Sequence, residues 1–178
     1  MGQLRPPKPV KLICGLLACD RFALDSARMK LTVQLGALDL ISEIWPFGQT
    51  GYYTQETGPA ILRQFISFAN LIDPGQLARI KQTANRVEQD LARELAGPWS
   101  RPVNVDPGLL EPSKLVLAST KNFANRIYIG EQIYAEVTLA YVHGAWQPFP
   151  CTFPDFKTGT YDQFLTIVRQ RLLEQLKT

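Results

Sequence analysis

Histidine and cysteine are scarce in this 178-residue sequence, which contains one histidine, His143, and three cysteines. The cysteines, Cys14, Cys19 and Cys151, are odd in number and form no C-x-x-C pair. A zinc site needs several such ligands and a disulfide framework needs pairs, so we expect neither, and we expect three free thiols. His143 lies in a predicted turn without a serine or cysteine partner in a recognisable pattern, which argues against a catalytic triad.

Long apolar runs are also absent. The run from Leu12 to Cys19 is too short and too interrupted for a signal peptide, and no window approaches the roughly 18 apolar residues of a membrane span. We therefore expect a cytoplasmic protein that binds no membrane. The glycine-rich signatures of P-loop and dinucleotide-binding proteins are missing too, which excludes the two commonest phosphate-binding motifs.

The charge balance limits the kinds of partner. Charged residues make up 20% of the chain, hydrophobic residues 46%, and the net charge is +3. These values are typical of a soluble globular domain with a real core. The modest positive charge permits an anionic ligand, but it falls short of the concentrated basic face of a dedicated nucleic-acid binder.

The first half of the chain predicts strands and helices in a definite order. Apolar spacing and the helix start at Asp73-Pro74 mark six segments. They are a strand, a helix, two strands, a helix and a strand, at residues 11–18, 22–35, 38–47, 61–71, 74–95 and 103–105. This is the order of a split β-α-β arrangement. We therefore predict an α+β fold with a ferredoxin-like core over residues 9–105.

The second half, residues 106–178, is predicted to extend this core within one domain spanning 1–178. Asp106-Pro107-Gly108 has the composition of a turn. Residues 113–120 are compatible with a short helix or a strand, because periodicity cannot separate the two in so short a run. The remaining segments are predicted as a C-terminal β-hairpin, a return strand and an amphipathic terminal helix, at residues 127–142, 145–149 and 161–176.

One candidate site wall is the strand at residues 133–139. Its side chains alternate, so Tyr134, Glu136 and Thr138 are predicted to share one face while smaller and aliphatic residues share the other. A glutamate between a tyrosine and a threonine on a rigid strand is a plausible acid–base or metal-binding group. We therefore take Glu136 as the candidate catalytic residue and Tyr134 and Thr138 as candidate ligand contacts.

A second candidate wall is the loop at residues 48–58. Long connections without regular structure are unusual in compact domains and are often functional. Its three glycines would allow close backbone approach, and its polar side chains would face a ligand; these are Thr50, Tyr52, Tyr53 and Glu56. The alternative is an aromatic loop that simply covers the sheet.

Basic residues flank the proposed site. Arg63 lies on the third predicted strand, and Lys114 and Lys121 would share a face if residues 113–120 were helical. With Arg126 they could hold an anion, or they could simply be solvated. Thr152 and Asp155 could close over the site, although Asp155 after a proline is also an ordinary turn residue.

Several stretches together resemble a prokaryotic family catalogued as domain of unknown function 4416. They are Lys8–Leu12, Trp45–Phe47 with Tyr52, Tyr53 and Glu56, Val103–Gly108, Lys114–Ala118, Arg126–Ile129 and Tyr134–Leu139. The resemblance runs nearly end to end. It implies a histidine before the arginine of Arg-Ile-Tyr and a tyrosine after Asp-Pro-Gly. Asn125 and Leu109 stand there instead, which speaks against a histidine-based mechanism in this chain.

Three functions remain open from the sequence. The first is binding, with or without turnover, of a small phosphorylated or carboxylated ligand between the loop at 48–58 and the strand at 133–139. The second is RNA binding on exposed tyrosines, which the absence of an aromatic–basic run disfavours. The third is a non-enzymatic interaction or scaffold protein, with a homo-oligomer possible. The sequence leaves the identity of any cofactor open.

Overall fold

A computed structural model describes residues 2–48 and 54–177 as one continuous antiparallel sheet with helices on both faces. The described elements, in chain order, are β1 (Val10–Ala18), α1 (Arg21–Leu35), β2 (Leu38–Ile41), β3 (Trp45–Pro46), α2 (Thr54–Thr57), β4 (Leu62–Ile72), α3 (Leu77–Leu95), β5 (Val103–Leu110), β6 (Lys114–Ser119), β7 (Ile127–Gly130), β8 (Ile133–Val142), β9 (Ala145–Pro148) and α4 (Asp162–Gln175). Short 3₁₀ turns, Pro74–Gln76 and Pro154–Thr158, precede α3 and α4.

The strands follow the order β2-β4-β1-β5-β6-β8-β7, with β3 on β4 and β9 on β8. Every described pair is antiparallel. The predicted α+β class is confirmed at this level. Strand β5 crosses the predicted boundary between residues 105 and 106, so the same sheet continues from the first half of the chain into the second.

Helices α1 and α3 cover one face of the sheet. Alternate residues of β1, from Leu12 to Ala18, join an apolar core with Leu24 and Leu31 of α1 and with Val87 and Leu91 of α3. The start of α1 follows from its sequence. Asp20 accepts a hydrogen bond from the Ala23 N–H at 2.8 Å and caps α1.

Helix α4 covers the other face. Ile13, Phe65 and Leu115 point to this side and pack with Leu165 and Leu172 of α4 in a second apolar core. The core does not extend over the whole face, because α4 leaves part of the sheet uncovered beside the 3₁₀ turn at residues 154–158. That region holds the candidate site.

The predicted turn at Asp106-Pro107-Gly108 is wrong, because β5 runs straight through it. All three residues pair with β1, and Pro107 lies opposite Cys14. The backbone N–H positions along a strand point alternately to its two neighbours, and that of Pro107 points away from β1. On that side, hydrogen bonding between β5 and β6 begins only at the next residue, Gly108. The missing N–H of proline therefore breaks no ladder hydrogen bond.

The loop predicted at residues 48–58 is not wholly irregular, because Thr54–Thr57 form the short helix α2. The other predicted strands and helices agree with the structure, with two refinements. From sequence, residues 113–120 are compatible with a helix or a strand, and the structure has a strand there, β6. The single strand predicted at residues 38–47 is two short strands, β2 and β3, with Ser42–Ile44 between them. The hairpin, the return strand and the terminal helix are present as predicted. No helix among the described residues has the length and apolar character to cross a membrane.

Candidate functional site

A cavity of about 290 Å³ opens where β5 and β6 separate. Among the described residues, the two strands pair only over Gly108–Leu110 of β5. The backbone of Val105 bonds instead to two side chains of α3. Glu88 Oε1 accepts from the Val105 N–H at 2.8 Å, and Lys81 Nζ donates to its C=O at 2.7 Å. A helix thus supplies the hydrogen bonds that a neighbouring strand would otherwise supply.

The floor of the cavity is Gly15, in the middle of β1. It pairs with Phe65 of β4 on one side and with Asp106 of β5 on the other. A Cβ atom here would lie 2.9 Å from Phe65 Cε1 and 3.0 Å from Arg63 Nη1. Glycine therefore lets the Phe65 ring and the Arg63 guanidinium lie directly against the backbone of β1.

Charged side chains provide much of the cavity wall. The cations are Arg63, Lys81, Arg101, Lys121 and Arg126, and the carboxylates are Asp106, Glu136 and Asp155. The phenylalanines of the wall are Phe47, Phe65, Phe153 and Phe156. Cations outnumber carboxylates five to three, and low-dielectric aromatic walls focus the resulting positive potential into the cavity.

Arg63 is buried, yet it retains unused donors. Its Nη2 donates to Asp155 Oδ2 at 2.8 Å, and its guanidinium carbon lies 5.1 Å from the ring centroid of Phe47 and 5.3 Å from that of Phe65. Burial opposes the charged form, but Asp155, Tyr161 and Asp106 together outweigh it and raise the pKa of Arg63. Nε has no partner, and Nη1, above Gly15, donates no hydrogen bond among the described residues.

Asp155 fixes the orientation of Arg63. It is buried in the 3₁₀ turn at Pro154–Thr158, and its Oδ2 also accepts from the Tyr161 hydroxyl at 3.2 Å. Burial raises the pKa of Tyr161 to about 12, so the hydroxyl keeps its proton and can donate. The guanidinium is thus held from one side and presents its unused donors on the other.

Lys81 and Glu88 belong to a buried network at the back of the cavity. Arg101 donates to Glu88 Oε2 through Nε at 2.9 Å and Nη2 at 2.7 Å. Lys81 Nζ lies 3.4 Å from Asp106 Oδ1, and Asn104 Nδ2 donates to Asp106 Oδ2 at 2.6 Å. Burial raises the pKa of Glu88, against the opposing attraction of Lys81 and Arg101.

Glu136 and Arg126 form the wall opposite Arg63. Arg126 Nε donates to Glu136 Oε2 at 2.7 Å, and Nη1 donates to Ser119 Oγ and to the Lys121 C=O, both at 2.9 Å. Asn125 Nδ2 lies 3.5 Å from the same Glu136 oxygen. Glu136 Oε1 is buried and has no partner among the described residues.

With this geometry known, comparison with other proteins identifies the family. The model of a family described as Domain of unknown function (DUF4416) matches residues 8–172. The chain belongs to the DUF4416 family. This confirms the resemblance seen in the sequence. No curated protein and no solved structure matches the chain.

The structure brings four of the sequence-predicted residues of this DUF4416 protein into one cavity. They are Arg63, Lys121, Arg126 and Glu136. Asp155, expected to close over the site, lines the same cavity. Thr152 is buried beside it, where its hydroxyl donates to the Thr138 C=O at 2.6 Å and accepts from the Phe149 N–H at 2.8 Å.

Other sequence-predicted residues lie outside the cavity. Glu56 is exposed on α2, and Lys114, at the far end of β6, pairs with Glu111 at 2.6 Å. The Tyr134 ring packs edge-on against Tyr128. Thr138 is buried, and its hydroxyl has no partner among the described residues. Three further residues, Thr50, Tyr52 and Tyr53, lie outside the residues that the structure describes.

A register shift in β8 explains the position of Thr138. Leu115 pairs with Leu139 and Val116 with Val137, so β8 holds one extra residue at this point. Leu139 therefore lies on the same face as Glu136, in the core beneath α4. The predicted shared face extends over Tyr134 and Glu136 but does not continue with simple alternation to Thr138, because a bulge interrupts the pleat.

Sequence reasoning missed the back wall of the cavity. Lys81 and Glu88 lie within the apolar stripe of α3, at helical spacing from Leu77, Ala84 and Leu91. Two charged residues seven positions apart inside an apolar stripe are a signal of a buried polar network, because lone buried charges are costly. Among the described residues, no group of three or more metal-ligating side chains is arranged to hold a metal ion.

Proposed function

We propose that this protein binds a small phosphorylated or carboxylated ligand in the cavity between β5 and β6. The observation that carries the proposal is the Arg63 guanidinium, which is held by Asp155 and presents Nη1 above the bare backbone of Gly15. A fixed arginine fork with unused donors matches the oxygen atoms of a phosphate or carboxylate.

The surrounding charges support an anionic ligand. Lys81 lies at the back of the same cavity, and Lys121 and Arg126 lie on the wall formed by the segment between β6 and β7. The cavity volume is that of a small metabolite rather than of a polymer. In any reaction of the bound ligand, Glu136 is the group that we propose for proton transfer, because it is a carboxylate on a rigid strand with one oxygen unused.

We also propose that residues 9–105 form a ferredoxin-like core and that the protein works in the cytoplasm. The strand order β2-β4-β1-β5, with α1 and α3 on the same face, supports the fold assignment. The three free cysteines, Cys14, Cys19 and Cys151, support a reducing compartment.

A thermal-shift screen against inorganic phosphate, pyrophosphate, sugar phosphates, nucleotides and di- and tricarboxylates tests the function. A ligand at one hundred times its dissociation constant should add about 2.7 kcal/mol to the free energy of unfolding and raise the melting temperature. The shift should decrease in Lys121→Ala and persist in Lys114→Ala, because Lys114, at the start of the neighbouring strand β6, lies outside the cavity.

A second variant tests the central arginine. Replacing Arg63 alone would leave Asp155 as a buried, unpaired carboxylate, so the double variant Arg63→Gln/Asp155→Asn is preferable. We expect it to fold and to lose the ligand-induced shift. No shift with any anion, or equal shifts in the double variant and the wild type, would contradict the proposal.

A further inference from the structure

The cavity has two chemically different ends. At the donor end, Arg63 has an Nε without a partner and an Nη1 above Gly15. At the acceptor end, the unused atoms are oxygens: Glu136 Oε1 and Asn125 Oδ1 are both buried without partners among the described residues. β4 and β8, which carry Arg63 and Glu136, are separated in the sheet by β1, β5 and β6. Four strand spacings amount to about 19 Å between the two backbones.

No described neighbour donates to the unused oxygen of Glu136. Arg126 Nε already donates to Oε2, and Arg126 Nη1 is engaged with Ser119 and with the Lys121 backbone. The Phe153 ring centroid lies 5.6 Å from the Arg126 guanidinium carbon and helps to hold the group in place. Asn125 offers only an acceptor on its unused side. The described residues thus leave this acceptor open.

A buried carboxylate oxygen without a donor is unfavourable, and native structures retain few of them. At a surface such an atom would be solvated. Here the side chain of Glu136 is only 2% exposed, while the residue lines the same cavity as Arg63. The geometry thus leaves a vacant acceptor across the cavity from a vacant donor.

We infer that the ligand carries, besides its anionic group, an N–H or O–H group that donates to Glu136. This inference rests on the proposed function, because it assigns the anionic group to Arg63 and the second group to the opposite end of that same cavity. The ligand class is a phosphorylated or carboxylated amine or polyol. A simple anion such as inorganic phosphate fills only the donor end.

Titration calorimetry with matched phosphate esters tests the inference. Glycerol 3-phosphate and propyl phosphate share a phosphate and a three-carbon chain, but only the first has hydroxyl donors. Phosphoethanolamine and phosphocholine both carry a cationic nitrogen, but only the first has N–H donors. In the wild type we expect the donor-bearing member of at least one pair to bind about tenfold more tightly, the effect of one charge-assisted hydrogen bond.

Glu136→Gln should reduce the affinity ratio within each pair, because a neutral amide oxygen is a weaker acceptor. The ratio is the readout, because loss of the Glu136 charge also frees Arg126 and changes the affinity for both members of a pair. Glu131→Gln, an amide substitution at an exposed glutamate in the β7–β8 turn, is the matched control and should keep the wild-type ratio. A urea titration of each variant shows whether it is folded. If Glu136→Gln does not fold, the wild-type ratios decide the question.

The possible failures are distinguishable. Equal affinity for both members of each pair, with binding lost in Arg63→Gln/Asp155→Asn, would overturn the inference and leave the proposed function intact. Discrimination that persists in Glu136→Gln would also overturn it, because another group would then accept the donor. Absence of binding by every ester at millimolar concentration would overturn the inference. Together with the absence of a thermal shift for every anion of the screen, carboxylates included, it would contradict the proposed function too.

Discussion

Arg63 combines burial with unused hydrogen-bond donors, and its surroundings explain how. Asp155 supplies the counter-charge, and the phenylalanine rings of the cavity wall pack around the guanidinium. The side chain has therefore been removed from bulk water without losing its charge, which strengthens any interaction with an anion in the cavity. The same pairing keeps the guanidinium in one orientation. Ligand binding therefore loses little free energy to ordering of this side chain.

The residues of the candidate site differ in how far the sequence could predict them. Glu136 and Arg126 are polar residues in strand-like segments, and Arg63 interrupts an apolar strand, so local patterns single them out. Lys81 lies on a helix remote in sequence from all of these. Its position at the back of the cavity depends on where α3 contacts the part of β5 that does not pair with β6. No local sequence pattern specifies this contact.

The buried carboxyl group of Glu88 makes the stability of the protein depend on pH. Burial raises its pKa above the ordinary value of 4.5, so the folded protein holds this proton to a higher pH than the unfolded chain does. As the pH rises from 4.5 to that raised pKa, the unfolded state loses its proton first. The contribution of Glu88 to the free energy of unfolding therefore falls across that window.

We expect Glu88→Gln to remove the pH-dependent contribution of Glu88 to the free energy of unfolding. Urea titrations at a series of pH values should show that the stability of the wild type, relative to the variant, decreases as the pH rises above 4.5 and then levels off. Glu94→Gln, at an exposed glutamate of the same helix, serves as the control. Parallel stability profiles for the wild type and Glu88→Gln would contradict the assignment of a raised pKa.

At the scale of elements, the separation of β5 from β6 creates the cavity. Lys81 and Glu88 hydrogen-bond the open side of β5, and Gly108 marks the point where the two strands begin to pair. A Cβ at Gly108 would lie 2.6 Å from Leu117 Cδ2 and 2.7 Å from the Val116 carbonyl oxygen. The close approach of β6 therefore requires glycine at this position.

Gly108→Ala should consequently be destabilising. The carbonyl oxygen of Val116 belongs to the backbone and cannot rotate away, so the strands must separate at the start of their ladder. We expect a loss of about 1–3 kcal/mol in the free energy of unfolding, measured in urea. Gly97→Ala is the control, because its Cβ would meet its nearest atom, the Leu95 carbonyl oxygen, only at 3.9 Å. A change within about 0.5 kcal/mol for Gly108→Ala would be the contrary result.

The elements themselves were largely predictable, and the exceptions have physical causes. The helices follow from apolar spacing and from their ends, and the hairpin from alternation and its turn. Asp106-Pro107-Gly108 has turn composition, but pairing with β1 on one side keeps it extended. The extra residue in β8 is set by how β6 and β8 pair, and the alternation of β8 alone does not reveal it.

At the scale of the whole molecule, one sheet joins the two halves of the chain and carries both ends of the cavity. The donor end lies on β4, in the first half, and the acceptor end lies on β8, in the second. Helix α4 and the preceding 3₁₀ turn then cover the same face, so Asp155, late in the sequence, reaches Arg63. Contacts between residues this far apart cannot be inferred from local sequence patterns.

The arginine Nε–H resonances of ¹⁵N-labelled protein show whether an anion binds to Arg63. Arg63→Lys identifies the Arg63 signal. We predict that glycerol 3-phosphate shifts this signal in a saturable manner, while the Nε–H of Arg169, which donates to the Pro112 carbonyl at 2.7 Å, stays unchanged. Saturable binding that leaves the Arg63 signal unmoved, or that shifts both arginines equally, would contradict the account.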